Sequence, residues 1–231
     1  MSTKILKSSF SFLTDLKKNN NREWFKDHKK QYDTARENII DFADEMLLGL
    51  NHYDNIETPS GKKSLYRIYR DVRFSKDKTP YNVHWSGGFS RSGKALRGSY
   101  YFRIESGNKS GIGGGFWGPN SNDMALIRSH FAQEPERLKE ILDDKNFKKL
   151  FGKMQGEQLK SAPRGYSVDH PAIDLLRYKQ FFAFREFTDK EVLDENFSKE
   201  ALKTFLAIRP FFDYMSEILT TNLNGESLLE D

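Results

Sequence analysis

Residues 99–105 read SYYFRIE, and this short stretch decides the class of fold that we expect. Its apolar residues Tyr100, Phe102 and Ile104 are separated by single residues, one of which is Arg103. Successive side chains of a β-strand point to opposite faces of the sheet. The alternation therefore predicts a strand with one buried face and one face in contact with water.

Further strands are predicted on both sides of this stretch, at residues 84–90 and 110–117. The segments that connect the three strands are short, which favours antiparallel hairpins or a meander over helical crossovers. Residues 65–74 and 179–187 also have the length and composition of strands. The sequence thus predicts a largely antiparallel sheet.

Two helices are predicted before the strand-rich region. Apolar residues recur at spacings of three and four over residues 9–16 and 22–48, which is the period of an amphipathic helix. Asn20 followed by Glu23 matches a capping box and predicts where the longer helix begins.

The C-terminal half is predicted to be mostly helical. Residues 123–146 have the helical period, with Pro135 placed to begin a second helix, and residues 198–223 form a longer helix that Pro210 should kink or split. We therefore expect an α+β fold, a single domain over residues 1–231. In it, a sheet of about four to six strands packs against the long N-terminal helix and the C-terminal helices. The helical, strand-rich and mostly helical parts are residues 9–50, 64–118 and 122–223.

The composition restricts the class of protein. The chain has 231 residues, of which 37% are hydrophobic and 19 are Phe, enough apolar material for a folded core. It has no Cys, which excludes disulfides, thiolate metal sites and cysteine nucleophiles. No apolar run approaches the roughly 20 residues that cross a bilayer, and the N-terminus lacks the features of a signal peptide. We therefore expect a cytoplasmic protein without a membrane partner.

A second stretch, residues 67–81, reads RIYRDVRFSKDKTPY and is the candidate functional motif. It holds five cationic side chains and two carboxylates. Residues 60–110, which include it, contain 12 Lys and Arg against 3 Asp and Glu, a charge of +9 in a chain whose net charge is +4. Such a local positive field favours anionic ligands.

Arg70 is the anomalous residue of this motif. In the predicted strand 65–74 it shares a face with apolar side chains, where a guanidinium needs a partner. Two hypotheses follow: Arg70 forms a buried ion pair with an acid elsewhere in the chain, or it binds an anion. On the opposite face of the strand, Asp71 and Arg73 are near enough in sequence to pair.

The first functional hypothesis is an enzyme or binding domain for a small anionic ligand, phosphorylated molecules included. Side chains of the motif would bind the anion, and a constrained basic loop at residues 159–166 would close the site. Asp71 or Asp77 would act as a general base or metal ligand. The predicted ligand-binding residues are Arg70, Arg73, Lys76, Lys78, Tyr81, Lys160, Arg164 and Tyr166.

Two alternatives compete with this hypothesis. In the first, the basic residues of 60–110 and the interspersed Tyr and Trp side chains bind nucleic acid, with cations on phosphates and rings on bases. In the second, the motif is a structural ion-pair network. The five histidines show no metal-ligand spacing, so no histidine ligand is predicted and a metal site would need carboxylates that the fold brings together, which suit Mg²⁺ better than Zn²⁺. No motif identifies a cofactor.

The glycine-rich residues 111–119 also admit two interpretations. Successive glycines before a helix can bind an anion through their backbone N–H groups. This stretch, however, lacks the Lys-Ser/Thr of a P-loop, and glycine within a strand more often marks a bulge or the close approach of another element.

The motif and several shorter stretches together resemble the widespread microbial family catalogued as domain of unknown function 2461. The resemblance runs from about residue 12 to about residue 210 and includes RDVRFSKDKTPY at residues 70–81. It implies a single α+β domain and carries no established activity. Many relatives have Lys after the Pro-Tyr pair, where this chain has Asn82. The other matching positions are Phe12, Leu13, Leu16, Asn19, Asn20, Arg22–Phe25, Gly113–Gly115, Leu159, Lys160, Pro163, Gly165, Tyr166, His170 and Pro171.

Overall fold

The computed structural model describes residues 3–229 and has the predicted α+β architecture. Within those residues the helices are α1 (Lys7–Lys18), α2 (Arg22–Asp27), α3 (Lys29–Asn51), α4 (Gly61–Ser64), α5 (Ser121–Gln133), α6 (Pro135–Asp143), α7 (Lys145–Phe151), α8 (Ile173–Leu176), α9 (Asp189–Val192) and α10 (Phe197–Ile218). The strands are β1 (Trp85–Ser90), β2 (Ser99–Ile104), β3 (Ser110–Phe116) and β4 (Phe181–Phe187).

The four strands form one antiparallel sheet in the order β1-β2-β3-β4, so each strand pairs with the next one along the chain. This order agrees with the meander expected from the short connections between β1, β2 and β3. Four of the predicted strands therefore form, each within two residues of its predicted start, and the predicted α+β class is confirmed.

The chain divides into two compact units. The first comprises the residues up to Phe89 together with Tyr101–Ile112 and Glu186–Lys203. The second comprises Ser90–Tyr100, Gly113–Arg185 and the residues from Thr204 onward. The assignment of residues 1–231 to a single domain stays a prediction.

The core of the first unit joins the long helix α3 to the sheet. Phe42 of α3 is fully buried, and its ring lies 5.6 Å from that of Phe102 in β2 and 5.5 Å from that of Phe197. Phe89 of β1 packs on Phe102 at 5.9 Å. These aromatic contacts explain the apolar alternation of β2, because its buried face is the face that α3 covers.

The core of the second unit joins α10 to the same strand. Tyr100 of β2 is fully buried, and its ring lies 4.9 Å from that of Phe212 and 5.4 Å from that of Phe205. Helix α10 continues through Pro210, so the predicted split is wrong. Buried rings lie on both sides of the proline in sequence, Phe205 before it and Phe211 and Phe212 after it. Their packing outweighs the one backbone hydrogen bond that proline cannot make.

The predicted strand at residues 65–74 is also wrong. Only two isolated antiparallel bridges form near it, between Leu65 and Gly87 and between Tyr69 and Tyr81. Phe74, which was expected on the buried face, is 96% exposed. Local side chains bond to the backbone of this segment instead, as Asp71 does to the N–H of Arg73, and such bonds compete with a strand ladder.

The predicted helix over residues 22–48 is two helices, α2 and α3, which meet at His28. The backbone of His28 is not helical, with φ −104° and ψ 17°, and its ring stacks on Trp24 at 4.0 Å. The Nδ1–H of His28 donates to the Trp24 carbonyl at 2.8 Å, which stabilises the break. The helix cap is Asn21, which accepts from the Trp24 N–H, and not Asn20 as the capping-box pattern predicted.

The glycines of β3 serve the packing of the sheet. A Cβ atom at Gly113 would overlap the carbonyl oxygen of Ala183 in β4, so only glycine fits at this position. The structure thus supports the close-approach interpretation of this stretch.

Candidate functional site

The motif forms an exposed loop, residues 70–80, which we call the motif loop. The chain is paired at the two ends of this loop by the bridge between Tyr69 and Tyr81. The N–H of Arg70 donates to the carbonyl of Pro80 at 2.9 Å, and the N–H of Asn82 donates to the carbonyl of Ile68 at 2.7 Å. The motif loop is therefore closed at its base by backbone hydrogen bonds.

Arg70 binds an acid of its own loop. Its Nη1 donates to Oδ2 of Asp77 at 2.7 Å, to the carbonyl of Thr79 at 3.0 Å, and to the hydroxyl of Thr79. Asp77 accepts from the Thr79 N–H at 2.9 Å through its other oxygen. The ion-pair hypothesis placed the acid elsewhere in the chain, whereas Asp77 lies in the same motif, three residues beyond the end of the predicted strand.

Arg73 and Asp71 form the second ion pair of the motif loop. Nη2 of Arg73 lies 2.6 Å from Oδ2 of Asp71, and Nε lies 3.0 Å from Oδ1, a bidentate arrangement. Nζ of Lys78 crosses the loop to the carbonyl of Val72 at 2.9 Å. Both carboxylates of the motif are thus occupied by its own arginines.

These contacts lower the pKa of both carboxyl groups. Hydrogen bonds from Thr79 and Arg70 lower the pKa of Asp77 from 3.8 to about 2, the Thr79 N–H having the largest effect. The hydrogen bonds from Arg73 lower the pKa of Asp71. A carboxylate with a depressed pKa is a weak proton acceptor at neutral pH. This geometry therefore favours a positioning role for Asp71 and Asp77 over general base catalysis.

Tyr81 fixes the loop to the N-terminal helices. It is 4% exposed, and its ring stacks on Phe25 at 4.1 Å. The side chain of Asn20 donates to the Tyr81 carbonyl at 2.9 Å and accepts from the Tyr81 N–H at 3.1 Å. Tyr81, predicted to bind ligand, thus lies at the anchor of the loop.

The outer side of the segment presents cations and aromatic rings to solvent. We call residues 62–78 the motif surface; they contain seven Lys and Arg and two Asp, a net charge of +5. Tyr66 is 60% exposed, Tyr69 59% and Phe74 96%. The Arg73 guanidinium lies 5.9 Å from the centre of the Phe74 ring. Lys76 is exposed and makes no ion pair or side-chain hydrogen bond with any residue of 3–229.

A half-buried polar group on the sheet was not identified from the sequence. Nδ1 of His84 lies 3.9 Å from Glu105, and Nε of Arg103 lies 3.7 Å from the same carboxylate. Burial lowers the pKa of His84 from 6.5, and Glu105 partly offsets this shift. The Tyr66 ring stacks on Tyr101 at 6.2 Å. The alternation in residues 99–105 predicts that Arg103 lies on the solvent-facing side of the strand, but it does not predict the contacts of Glu105 with Arg103 and His84.

The remaining predicted site residues, Lys160, Arg164 and Tyr166, lie in the second unit. Lys160 and Arg164 are exposed, and the half-buried ring of Tyr166 meets that of His170 edge-on at 6.1 Å. Their closure over the motif stays a prediction.

Two further arginines of the basic stretch 60–110 are paired within the second unit. Arg91 is 3% exposed and binds Asp213, and Arg97 lies 2.6 Å from Asp123. Both are therefore structural cations. Their acidic partners neutralise them and so reduce the positive field that the sequence predicted for residues 60–110.

No group of three or more His, Asp or Glu among residues 3–229 is arranged to hold a metal ion. No helix in the same range is long and apolar enough to cross a membrane.

The fold and the motif loop define an α+β protein with a rigid, cationic loop on its surface. The chain belongs to the family described as "Conserved hypothetical protein (DUF2461)", which matches residues 8–214, and the family resemblance is thereby confirmed. No curated protein and no solved structure matches the chain.

Proposed function

We propose that this protein binds single-stranded nucleic acid through the motif surface. The observation that carries the proposal is the exposure of Phe74, 96%, in a loop whose two arginines are held by Asp71 and Asp77. Exposed rings among cations are the arrangement that stacks on bases and follows a phosphate backbone without sequence preference.

The charge of the motif surface supports this proposal. Asp71 and Asp77 are each neutralised by an arginine of the same loop, and the surface keeps a net charge of +5. Lys76 is available for a phosphate, as it has no protein partner within residues 3–229. A polyanion gains affinity from such a surface by releasing its counterions.

The rigidity of the motif loop supports it further. Exposed ion pairs add little to folding stability, so stability does not account for two of them in one loop. They do fix the shape of the loop. A surface that is already in its bound shape loses less conformational entropy on binding.

The small-ligand hypothesis is less well supported at this surface. The side chains of Asp71, Arg73 and Asp77 are 60%, 77% and 61% exposed, whereas sites for small molecules bury most of their ligand. The lowered pKa values of both carboxylates also weigh against general base catalysis there. The proposal places the protein in the cytoplasm, where nucleic acid is within its reach.

The test is binding of a fluorescein-labelled 16-nucleotide single strand, followed by anisotropy from 50 to 200 mM salt. We expect the logarithm of the association constant to fall linearly with the logarithm of salt concentration. Absence of binding at 50 mM salt would refute the proposal. The same titration with free nucleotides separates a polymer site from a small-ligand site, because only the polymer spans several cations.

A further inference from the structure

Two arginines of the second unit meet at the C-terminal end of helix α8. Arg128, on α5, donates from Nε to the carbonyl of Leu176 at 3.1 Å. Arg177 is the next residue after Leu176 and caps the helix. The Arg128 guanidinium therefore reaches the residue that immediately precedes Arg177.

Neither arginine has an acidic partner among residues 3–229. Nε of Arg177 is buried and has no hydrogen-bond partner in that range. Burial lowers the pKa of Arg128, which means that the surroundings disfavour its charged form. In the same unit, by contrast, Arg97 is matched by Asp123 and Arg137 by Glu217.

A half-buried guanidinium without a counter-charge is costly, because it has lost water and gained no carboxylate. The carbonyl of Leu176 satisfies one N–H of Arg128 and leaves its other donors free. A guanidinium fork matches the geometry of an oxyanion, which accepts several N–H donors at once, and here two arginines come to consecutive residues, Leu176 and Arg177.

The basic loop at residues 159–166 is attached to the same place. The Leu159 N–H donates to the Arg177 carbonyl at 2.8 Å, and Gln158 bridges to Tyr178. The loop thus begins beside Arg177 and carries two more cations, Lys160 and Arg164.

We infer that Arg128 and Arg177, next to the basic loop at residues 159–166, form a binding site for the phosphate group of a small phosphorylated ligand. The two guanidiniums supply the charge and the paired donors. This site lies wholly in the second unit. It is independent of the motif surface, and its ligand is a single phosphate group, not a polymer.

The test is calorimetric titration of the full chain with inorganic phosphate, at an ionic strength held constant with chloride. We expect Arg128→Gln and Arg177→Gln each to weaken phosphate binding by about tenfold or more, the effect of one lost charge-assisted hydrogen bond. Lys153→Gln removes an exposed cation of the same unit and is the matched control; its affinity should equal that of the wild type.

Thermal unfolding separates this site from a structural role. In chloride buffer, Arg177→Gln should unfold at the same temperature as the wild type or higher, because it removes an uncompensated buried donor. In phosphate buffer, the wild type and Lys153→Gln should gain stability equally, and Arg177→Gln should gain less. Early unfolding of Arg177→Gln in chloride, or phosphate affinity equal to that of the wild type, would overturn the inference. Malonate bound as tightly as phosphate would overturn the assignment to phosphate.

Discussion

Nη1 of Arg70 donates to Oδ2 of Asp77 at 2.7 Å across seven residues of the same loop. An ion pair with a distant acid would have fixed Arg70 to the core, and an open pocket beside Arg70 would have indicated an anion-binding role. The contact instead closes a loop on which Phe74 and Lys76 are exposed. If these two side chains bind nucleic acid as proposed, Arg70 is a positioning residue for them.

Phe74→Ala should weaken binding of the single-stranded oligonucleotide by about 1–3 kcal/mol, the range measured for one base–ring stack. The melting temperature of the free protein should not change, because Phe74 buries almost no surface on folding. Tyr53→Ala is the control, because it removes another exposed ring, 55% exposed, that lies outside the motif surface. This variant should bind the oligonucleotide as the wild type does. Equal losses in both variants would contradict a specific role for Phe74.

Lys76→Gln should lower the salt dependence of oligonucleotide binding. Loss of one phosphate contact on a single strand reduces the log–log slope by about 0.7. Lys17→Gln, an exposed cation on α1, is the control for net charge. An unchanged slope in Lys76→Gln would show that Lys76 does not contact the strand.

The contacts that close the motif loop should be lost at acid pH. Because the pKa of Asp77 falls from 3.8 to about 2, its contacts contribute stability above about pH 3.8 and lose it as the pH falls towards 2. The Thr79 N–H, which Asp77 accepts at 2.9 Å, reports this change in a proton–nitrogen NMR titration. We expect a midpoint near 2 that disappears in Asp77→Asn. A midpoint at or above 3.8 would contradict the contacts described for Asp77.

Asn20→Ala should destabilise the protein by about 1–3 kcal/mol, since it leaves the N–H and carbonyl of the buried Tyr81 without partners. Asn19→Ala is the matched control: its side chain makes one exposed hydrogen bond, and the change should stay within about 0.5 kcal/mol. Urea unfolding measures both. Equal stability of the two variants would contradict the anchoring role of Asn20.

Gly113→Ala should destabilise the sheet by about 1–3 kcal/mol or more, because the added methyl group overlaps the Ala183 carbonyl. Gly118→Ala places a methyl group in open space and should change stability by no more than about 0.5 kcal/mol. If Gly113→Ala were neutral, β3 and β4 would have to approach less closely than the structure shows.

The sequence alone determined the elements whose side chains repeat with a clear period. Strand β2 was predicted from the alternation of residues 99–105, and α1 and α3 from apolar spacings of three and four, because burial against a single face imposes these periods. The family was also identified from the sequence, since the motif at residues 70–81 is long and specific.

The sequence predicted the pair of Asp71 and Arg73, but only the tertiary structure decided the partner of Arg70. Arg70 and Asp77 are both visible in the sequence, but the periodicity of residues 65–74 suggested a strand, and the local hydrogen bonds of Asp71 and Asp77 overrode it. Arg128 and Arg177, 49 positions apart, carry no sequence pattern that joins them. Periodicity reports which face of an element is buried, whereas the partner of a charge depends on distances that exist only once the chain has folded.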